Sequence, residues 1–226
     1  MKPRYLKRTS GHRLTMSNYY RAQAHFYDAT RWAFLYGRRR IIEMLDIQAG
    51  ERVLEIGCGT GRNLVLIQEK LQGSGEVIAV DCSAPMLRKA AERVARAGWN
   101  NVTLLDEEYG RQAVRRGEVD VVVFSYSLSM MPGWQKALSC ARSELQPEGR
   151  VGVVDFGPPA AGSRLFSEWL AVNHVTVDRP YVSQLRELFP ERVYATRQAW
   201  GGLWSFYCYV GAAGSGATAP EYSAAC

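Results

Sequence analysis

The chain reads as an α/β protein, a mostly parallel sheet with helices on both faces. Two observations predict it. Short, almost wholly apolar runs such as "RVLEI", "EVIAVD" and "VDVVVF" alternate with longer stretches of helical period. Strands without polar alternation are buried on both faces, which is the pattern of a parallel sheet between helical layers. The second observation lies near the C-terminus. "RVYATRQAW" and "LWSFYCYVG" are separated only by Gly201-Gly202, too short for a crossover, so the last strand runs antiparallel to its neighbour.

The elements follow in order. Residues 1–13 have no periodicity. From Met16 to Asp28, Tyr19, Tyr20, Phe26 and Tyr27 recur at helical spacing, and a second helix is predicted from Arg31 to Leu45. The turn "QAGE" leads into the first strand, Arg52–Ile56. Gly57–Gly61 breaks that strand into a helix, Arg62–Leu71. The strand Glu76–Asp81 feeds a helix with Ser83 as cap, Pro85 in the first turn and Gly98 as stop. A strand ending at Asp106 precedes a short helical piece, Glu107–Arg116. "VDVVVFSYSL", the helix "GWQKALSCARSEL" and the strand "RVGVVDF" come next. Helices over Ser163–Asn173 and Tyr181–Phe189 precede the final strand pair. Three regions result: a basic helical arm or cap, 1–45; a ligand-binding body, 46–211; and a Gly/Ala-rich, disordered tail, 212–226.

Composition excludes several classes. The 226 residues, 47% hydrophobic and 22% charged, suit one globular domain. No apolar run approaches the roughly 18 residues of a membrane span. The basic N-terminus is followed by no apolar stretch, so no signal peptide is expected. Five scattered cysteines, without a C-x-x-C pair, fit neither a disulfide framework nor a zinc site, and no metal is expected. Free thiols point to the cytoplasm. Residues 1–40 hold ten Lys or Arg against a single acid, Asp28, a balance of +9 in a chain of net +6. The remainder is therefore net negative. Such a head attracts an anionic partner (a lipid headgroup surface, nucleic acid or an acidic substrate), unless it is simply a solvated arm.

The motif that carries chemistry is "VLEIGCGTGRN", Val53–Asn63. Ligands of open α/β sheets bind beyond the carboxyl ends of the strands, where this loop lies. A dinucleotide fingerprint is G-x-G-x-x-G, but here Gly57, Gly59 and Gly61 are spaced by two, and Arg62 stands where the last glycine belongs. No Gly-Lys-Ser/Thr follows, which excludes a P-loop. Glu55 precedes the loop, Asp81 ends the second strand, and Asp106-Glu107-Glu108 ends the third. A carboxylate at Asp81 suits the ribose hydroxyls of an adenosine ligand. Acid on every side disfavours a pyrophosphate and favours a cation, such as a sulfonium.

"VLEIGCGTG" followed by "VIAVDCSAPML", with "VDVVVFSYSL" and "L-x-P-E-G-x-V-G-V-V-D-F", resembles the class I S-adenosylmethionine-dependent methyltransferases over about Ile42–Gly211. The resemblance implies a three-layer, Rossmann-like fold with a seven-stranded sheet and an antiparallel last strand. It implies S-adenosylmethionine as cofactor and S-adenosylhomocysteine as product. The methionine part would lie over Gly57, Gly59 and Gly61, with Asp81 on the ribose and Asp106 or Glu107 near the adenine. Ser125 and Tyr126 would face the methyl group. Glu55, Cys58 (as a small filler), Asn63, Ser83 and Met86 complete the cofactor set.

The head "YYRAQAHFYDATRWAFLYGRRR", Tyr19–Arg40, is similar to that of bacterial enzymes that trimethylate the amine of diacylglyceryl homoserine to make betaine lipids. "VVDFG" and the W-L-x(3)-H around Trp169 and His174 look like them too. Phospholipid and quinone methyltransferases carry related Tyr-Asp segments, and the polar tail departs from the pattern. The similarity implies a lipid amine acceptor and contact with the inner face of an anionic membrane. Tyr20, Tyr27 and Tyr126 are the candidates for orienting the amine, and His174 for relaying its proton. A phosphatidylethanolamine-type lipid, a soluble amine, or binding without catalysis are the alternatives. Ser125-Tyr126-Ser127-Leu128 stands where nucleic-acid enzymes carry a base-stacking motif such as Asn-Pro-Pro-Tyr, so no nucleic-acid partner is expected.

Overall fold

The computed structural model describes residues 4–7 (backbone), 35–111, 114–157, 168, 170, 175–199, 202 and 204–214. Among the described residues the strands are β1 (Arg4–Lys7), β2 (Arg52–Ile56), β3 (Glu76–Asp81), β4 (Val102–Asp106), β5 (Val119–Ser125), β6 (Leu145–Phe156), β7 (Glu191–Ala199) and β8 (Trp204–Ala212). The helices are α1 (Arg38–Met44), α2 (Arg62–Leu71), α3 (Ala84–Ala97), α4 (Trp134–Glu144) and α5 (Tyr181–Leu188). All strands form one sheet in the order β1-β4-β3-β2-β5-β6-β8-β7. Pairing is parallel from β1 to β6, and β8 runs antiparallel to both β6 and β7. The expected seven-stranded sheet is thus β2 to β8.

Apolar continuity of the central strands places a core on each face. On one face Val53, Val77, Val121 and Val154 pack with Leu64 and Leu87 of α2 and α3 and with the α1 residues Ile41 and Ile42. On the other, Leu54, Ile78, Phe124 and Val153 pack with Leu138 of α4 and Leu185 of α5. The burial of Met86, Leu87, Ala90 and Val94 traces one stripe of α3. Ser83 and a left-handed Gly98 (φ 70°) bound that helix, as predicted. Arg150 of β6 fastens α1: its guanidinium donates to the Leu45 carbonyl at 2.5 Å, and to the Asp46 carbonyl and both Glu51 oxygens at 2.8 Å. Gly152 makes room for the helix end, because a methyl there would lie 2.6 Å from Leu45.

Three elements differ from expectation. Arg4–Lys7, in a stretch without periodicity, pairs in parallel with Thr103–Asp106 as an eighth, edge strand. Four residues are too few for an alternation to show. The helix expected from Arg31 has its described part over Arg38–Met44, entered through Gly37 at φ 81°. The piece expected as helix over Glu107–Arg116 forms turns and bends wherever it is described. There Gly110 (φ 100°) fits closely against the Ala137 backbone. The buried Glu144 carboxylate accepts the N–H groups of Val114 and Arg115, which a helix would have used internally. The predicted helix over Ser163–Asn173 falls almost wholly outside the described residues.

Candidate functional site

Strand β2 has β3 on one side and β5 on the other, so the chain order reverses at its carboxyl end. A crevice at such a switch point is where α/β sheets bind ligands. The cleft found there has a volume of about 610 Å³, counting space open to solvent, and is lined by Gly57, Gly59, Val80, Asp81, Cys82, Met86, Glu107, Tyr109, Tyr126, Ser127, Met130 and Met131.

The three glycines of the loop all have positive φ, at 73°, 56° and 73°, yet they do different work. A methyl at Gly57 would lie 2.4 Å from the Ser127 Cβ, and one at Gly61 would lie 2.9 Å from Leu64 and 3.2 Å from Ala90. Those two let the loop seat against β5's exit and against α3. A methyl at Gly59 would meet nothing within 4 Å. Gly59 therefore presents bare backbone to the cleft. The loop is tied to β3 by the Gly57 and Cys58 N–H groups, which donate to the Val80 carbonyl at 2.8 and 3.0 Å.

Asp81 completes this corner. One oxygen accepts the Gly59 N–H and the other the Ser83 N–H, both at 2.8 Å. Each oxygen keeps a second lone pair. Burial, helped by the Asp106 charge and only partly offset by the Ser83, Gly59 and Cys82 N–H groups, pushes its carboxyl up to about 6. Glu55 lies behind the loop, fully buried. Its Oε1 accepts from Asn63 Nδ2 at 2.9 Å, while Oε2 and Asn63 Oδ1 have no hydrogen-bond partner. Burial raises this carboxyl to about 7, against the pull of Asn63 and the nearby Arg38 charge.

The structure brings Gly57, Gly59, Asp81, Met86, Glu107 and Tyr126 together around the cleft. Glu55, Cys58, Gly61, Asn63, Ser83 and Asp106 stand behind its walls, and the buried Ser125 hydroxyl has no partner. Ser127 takes the lining position instead, donating to the Ile56 carbonyl at 2.7 Å. Tyr126 lines the cleft in a left-handed conformation (φ 55°), with its ring 4.7 Å from that of Phe156. Its hydroxyl proton is committed: it donates to the Tyr36 carbonyl at 2.6 Å. Tyr20, Tyr27 and His174 lie outside the described residues.

Sequence reasoning passed over Val80, Cys82, Tyr109, Ser127, Met130 and Met131. Their adjacency to Asp81, to the acidic cluster or to "SYSL" was the available signal. At Cys82, burial and then the Asp81 charge push the thiol up to about 12. Glu144 was also missed. Beyond holding Val114 and Arg115, it lies 3.5 Å from the Tyr109 hydroxyl and so steadies that wall. Among the described residues no cluster of His, Cys, Asp and Glu could hold a metal ion.

The donor set fits a cationic adenosine cofactor. Bare backbone at Gly59, the Asp81 carboxylate and the apolar Met86 edge match its several parts. Comparisons with known proteins agree. The family description "Methyltransferase domain" matches residues 53–149. Nocamycin O-methyltransferase of Saccharothrix syringae is 31% identical over 137 residues, 60% of this chain and 49% of that protein. Demethylmenaquinone methyltransferase of Thermus thermophilus is 30% identical over 126 residues, 56% of each. The chain thus spans about half the length of the curated relatives it matches. A Haemonchus contortus phosphoethanolamine N-methyltransferase, solved with phosphomonomethylethanolamine and S-adenosylhomocysteine, superposes with a TM-score of 0.71 at 15% identity, over 89% of this chain and 61% of that one. At that identity the likeness is one of fold. Residues 53–149 thus match a methyltransferase domain, and the chain shares the Rossmann-like fold of solved S-adenosylmethionine-dependent methyltransferases.

Proposed function

We propose that this protein is an S-adenosylmethionine-dependent N-methyltransferase whose acceptor is the amine of diacylglyceryl homoserine, in betaine-lipid synthesis. The observation that carries the methyltransferase reading is the open backbone at Gly59 beside Asp81, at the switch point of the sheet. In this reading Asp81 takes the ribose hydroxyls, Met86 and Glu107 flank the adenine, and the loop from Gly57 to Gly59 supports the methionine part. The bound cofactor supplies an electrophilic methyl group. The chain's contribution is then to hold an amine lone pair in line with that group and to exclude water. Tyr126, Ser127, Met130 and Met131 offer a wall without charge, which keeps an incoming amine neutral and nucleophilic. Tyr20 and Tyr27 orient the amine in this proposal, and His174 relays its proton.

Support for a lipid acceptor comes from the first forty residues, with their +9 balance and their similarity to betaine-lipid enzymes. A second reading has its own support. The apolar methionine wall, and relatives named for O-methylation and for demethylmenaquinone, suit a flat, uncharged ring as acceptor. Incubation with labelled S-adenosylmethionine and a total bacterial lipid extract separates the two. Label in a zwitterionic lipid supports the first, label in a quinone or in water-soluble products replaces it, and cofactor binding without any transfer overturns both.

A further inference from the structure

Asp155 is a carboxylate near the end of β6, inside the apolar run "RVGVVDF", and it is buried without lining the cleft. Burying a carboxylate in a strand is unfavourable unless its oxygens are well hydrogen-bonded, and an apolar residue would serve the core better. Asp155 spends its oxygens on one short turn. Oδ2 accepts the Ser129 N–H at 2.9 Å, and Oδ1 accepts the Ser129 hydroxyl at 2.6 Å and the Phe156 N–H at 2.8 Å.

Ser129 is the middle residue of the 3₁₀ turn Leu128–Met130, which carries Met130 and Met131 into the cleft. A turn of three residues has little cohesion of its own. Here its internal bonds are Met130 N–H to the Ser127 carbonyl, at 3.2 Å, and Met131 N–H to the Leu128 carbonyl, at 3.1 Å. From outside, the Thr176 N–H donates to the Ser129 carbonyl at 3.0 Å, and Arg179 Nη1 to the Met131 carbonyl at 2.9 Å. Among the described residues Asp155 is the sole carboxylate that hydrogen-bonds to this turn, and its bonds to Ser129 reach both the backbone and the side chain.

We infer that Asp155 is a positioning residue: through Ser129 it sets where Met130 and Met131 stand and so shapes the acceptor-side wall of the cleft. The inference deepens the methyltransferase reading and rests on it for the word "acceptor". The test uses full-length protein labelled with [methyl-¹³C]methionine, whose six methionines give separable methyl signals. S-adenosylhomocysteine is the probe ligand. In the unaltered protein the Met130 and Met131 methyls, assigned by single Met→Leu changes, should be dispersed. In Asp155→Asn they should move towards free-methionine positions, while Met44 and Met86 stay in place. Ser129→Ala, which removes only the hydroxyl contact, should give a smaller displacement of the same two signals and keeps the question open to test should Asp155→Asn not fold. Native positions for Met130 and Met131 in the folded variants would overturn the inference, and so would a loss of dispersion spread evenly over all the methionines. A failure of the cofactor reading shows separately, as an unaltered protein whose Met86 signal does not respond to S-adenosylhomocysteine.

Discussion

At the scale of single residues, Asp81 joins the glycine loop to the wall of the cleft. It accepts two backbone N–H groups and retains lone pairs for a ligand. Hydrogen bonds to a charged group contribute about 1.5–3 kcal/mol, so Asp81→Ala should weaken S-adenosylhomocysteine binding by about 10- to 100-fold. Calorimetric titration measures this, and an unchanged circular dichroism spectrum shows that the fold survives. The same carboxyl gives a pH dependence. Its folded value of about 6 lies above the ordinary 3.8, so the fold favours the protonated form. Its contribution to stability is full below about 3.8 and is lost as pH rises through about 6. A ribose bound to the ionised form reverses that loss. The rise in melting temperature caused by S-adenosylhomocysteine should therefore grow between pH 5 and 7.5, and Asp81→Asn should flatten that component.

At the scale of elements, the loop's glycines separate packing from ligand access. Gly57→Ala forces a methyl onto Ser127 at a positive φ, and strain with overpacking of this kind costs about 1–3 kcal/mol each. Gly59→Ala meets no protein atom and carries the backbone strain alone, about 1–2 kcal/mol. Thermal melts should therefore rank Gly57→Ala as the less stable, while titration with S-adenosylhomocysteine should find Gly59→Ala folded but impaired in binding. Helix α1 depends on the Arg150–Glu51 pair in a similar way. Burial raises the Glu51 carboxyl, but the Arg150 and Gln48 hydrogen bonds outweigh it and leave the group below its ordinary 4.5. That contribution is present above about 4.5 and is lost as pH falls through the lowered value. Arg150→Met should cost about 1.5–3 kcal/mol in denaturant unfolding, from the lost charged hydrogen bonds, and should remove this component of acid sensitivity.

At the scale of the whole molecule, charge and topology divide the tasks. The sheet order sets the cleft, and the basic first forty residues lie upstream of it in a body of net negative charge. Among the described residues no helix is long and apolar enough to cross a membrane. In the proposed reading the basic head meets a lipid acceptor at a membrane surface. Near an anionic bilayer each Lys or Arg contributes about 1 kcal/mol, screened by salt. Cosedimentation with phosphatidylglycerol vesicles should be strong at low salt and fall steeply as salt rises. Reversing Lys2, Arg4, Lys7 and Arg8 to Glu should abolish it. Salt-independent binding, or none, would leave the basic head as a solvated arm.

The layered fold, the antiparallel last strand and the glycine loop were legible in the chain itself. Each rests on local physics: unbroken apolar runs demand a sheet covered on both faces, a two-glycine turn permits no crossover, and positive φ at Gly57, Gly59 and Gly61 tolerates little else. Asp81 was legible because its place at a strand end follows from the same reading. The walls of the cleft were not. Tyr126 donates to Tyr36 across 90 residues, Glu144 accepts from Val114 across 30, and Asp155 accepts from Ser129 across 26. Such pairs depend on strand register and on which loop meets which strand end. Neither composition nor periodicity encodes that. Only the folded sheet decided that Ser127 rather than Ser125 lines the cleft, that Tyr126 ties down the approach to α1, and that two buried carboxylates outside the cleft hold its walls.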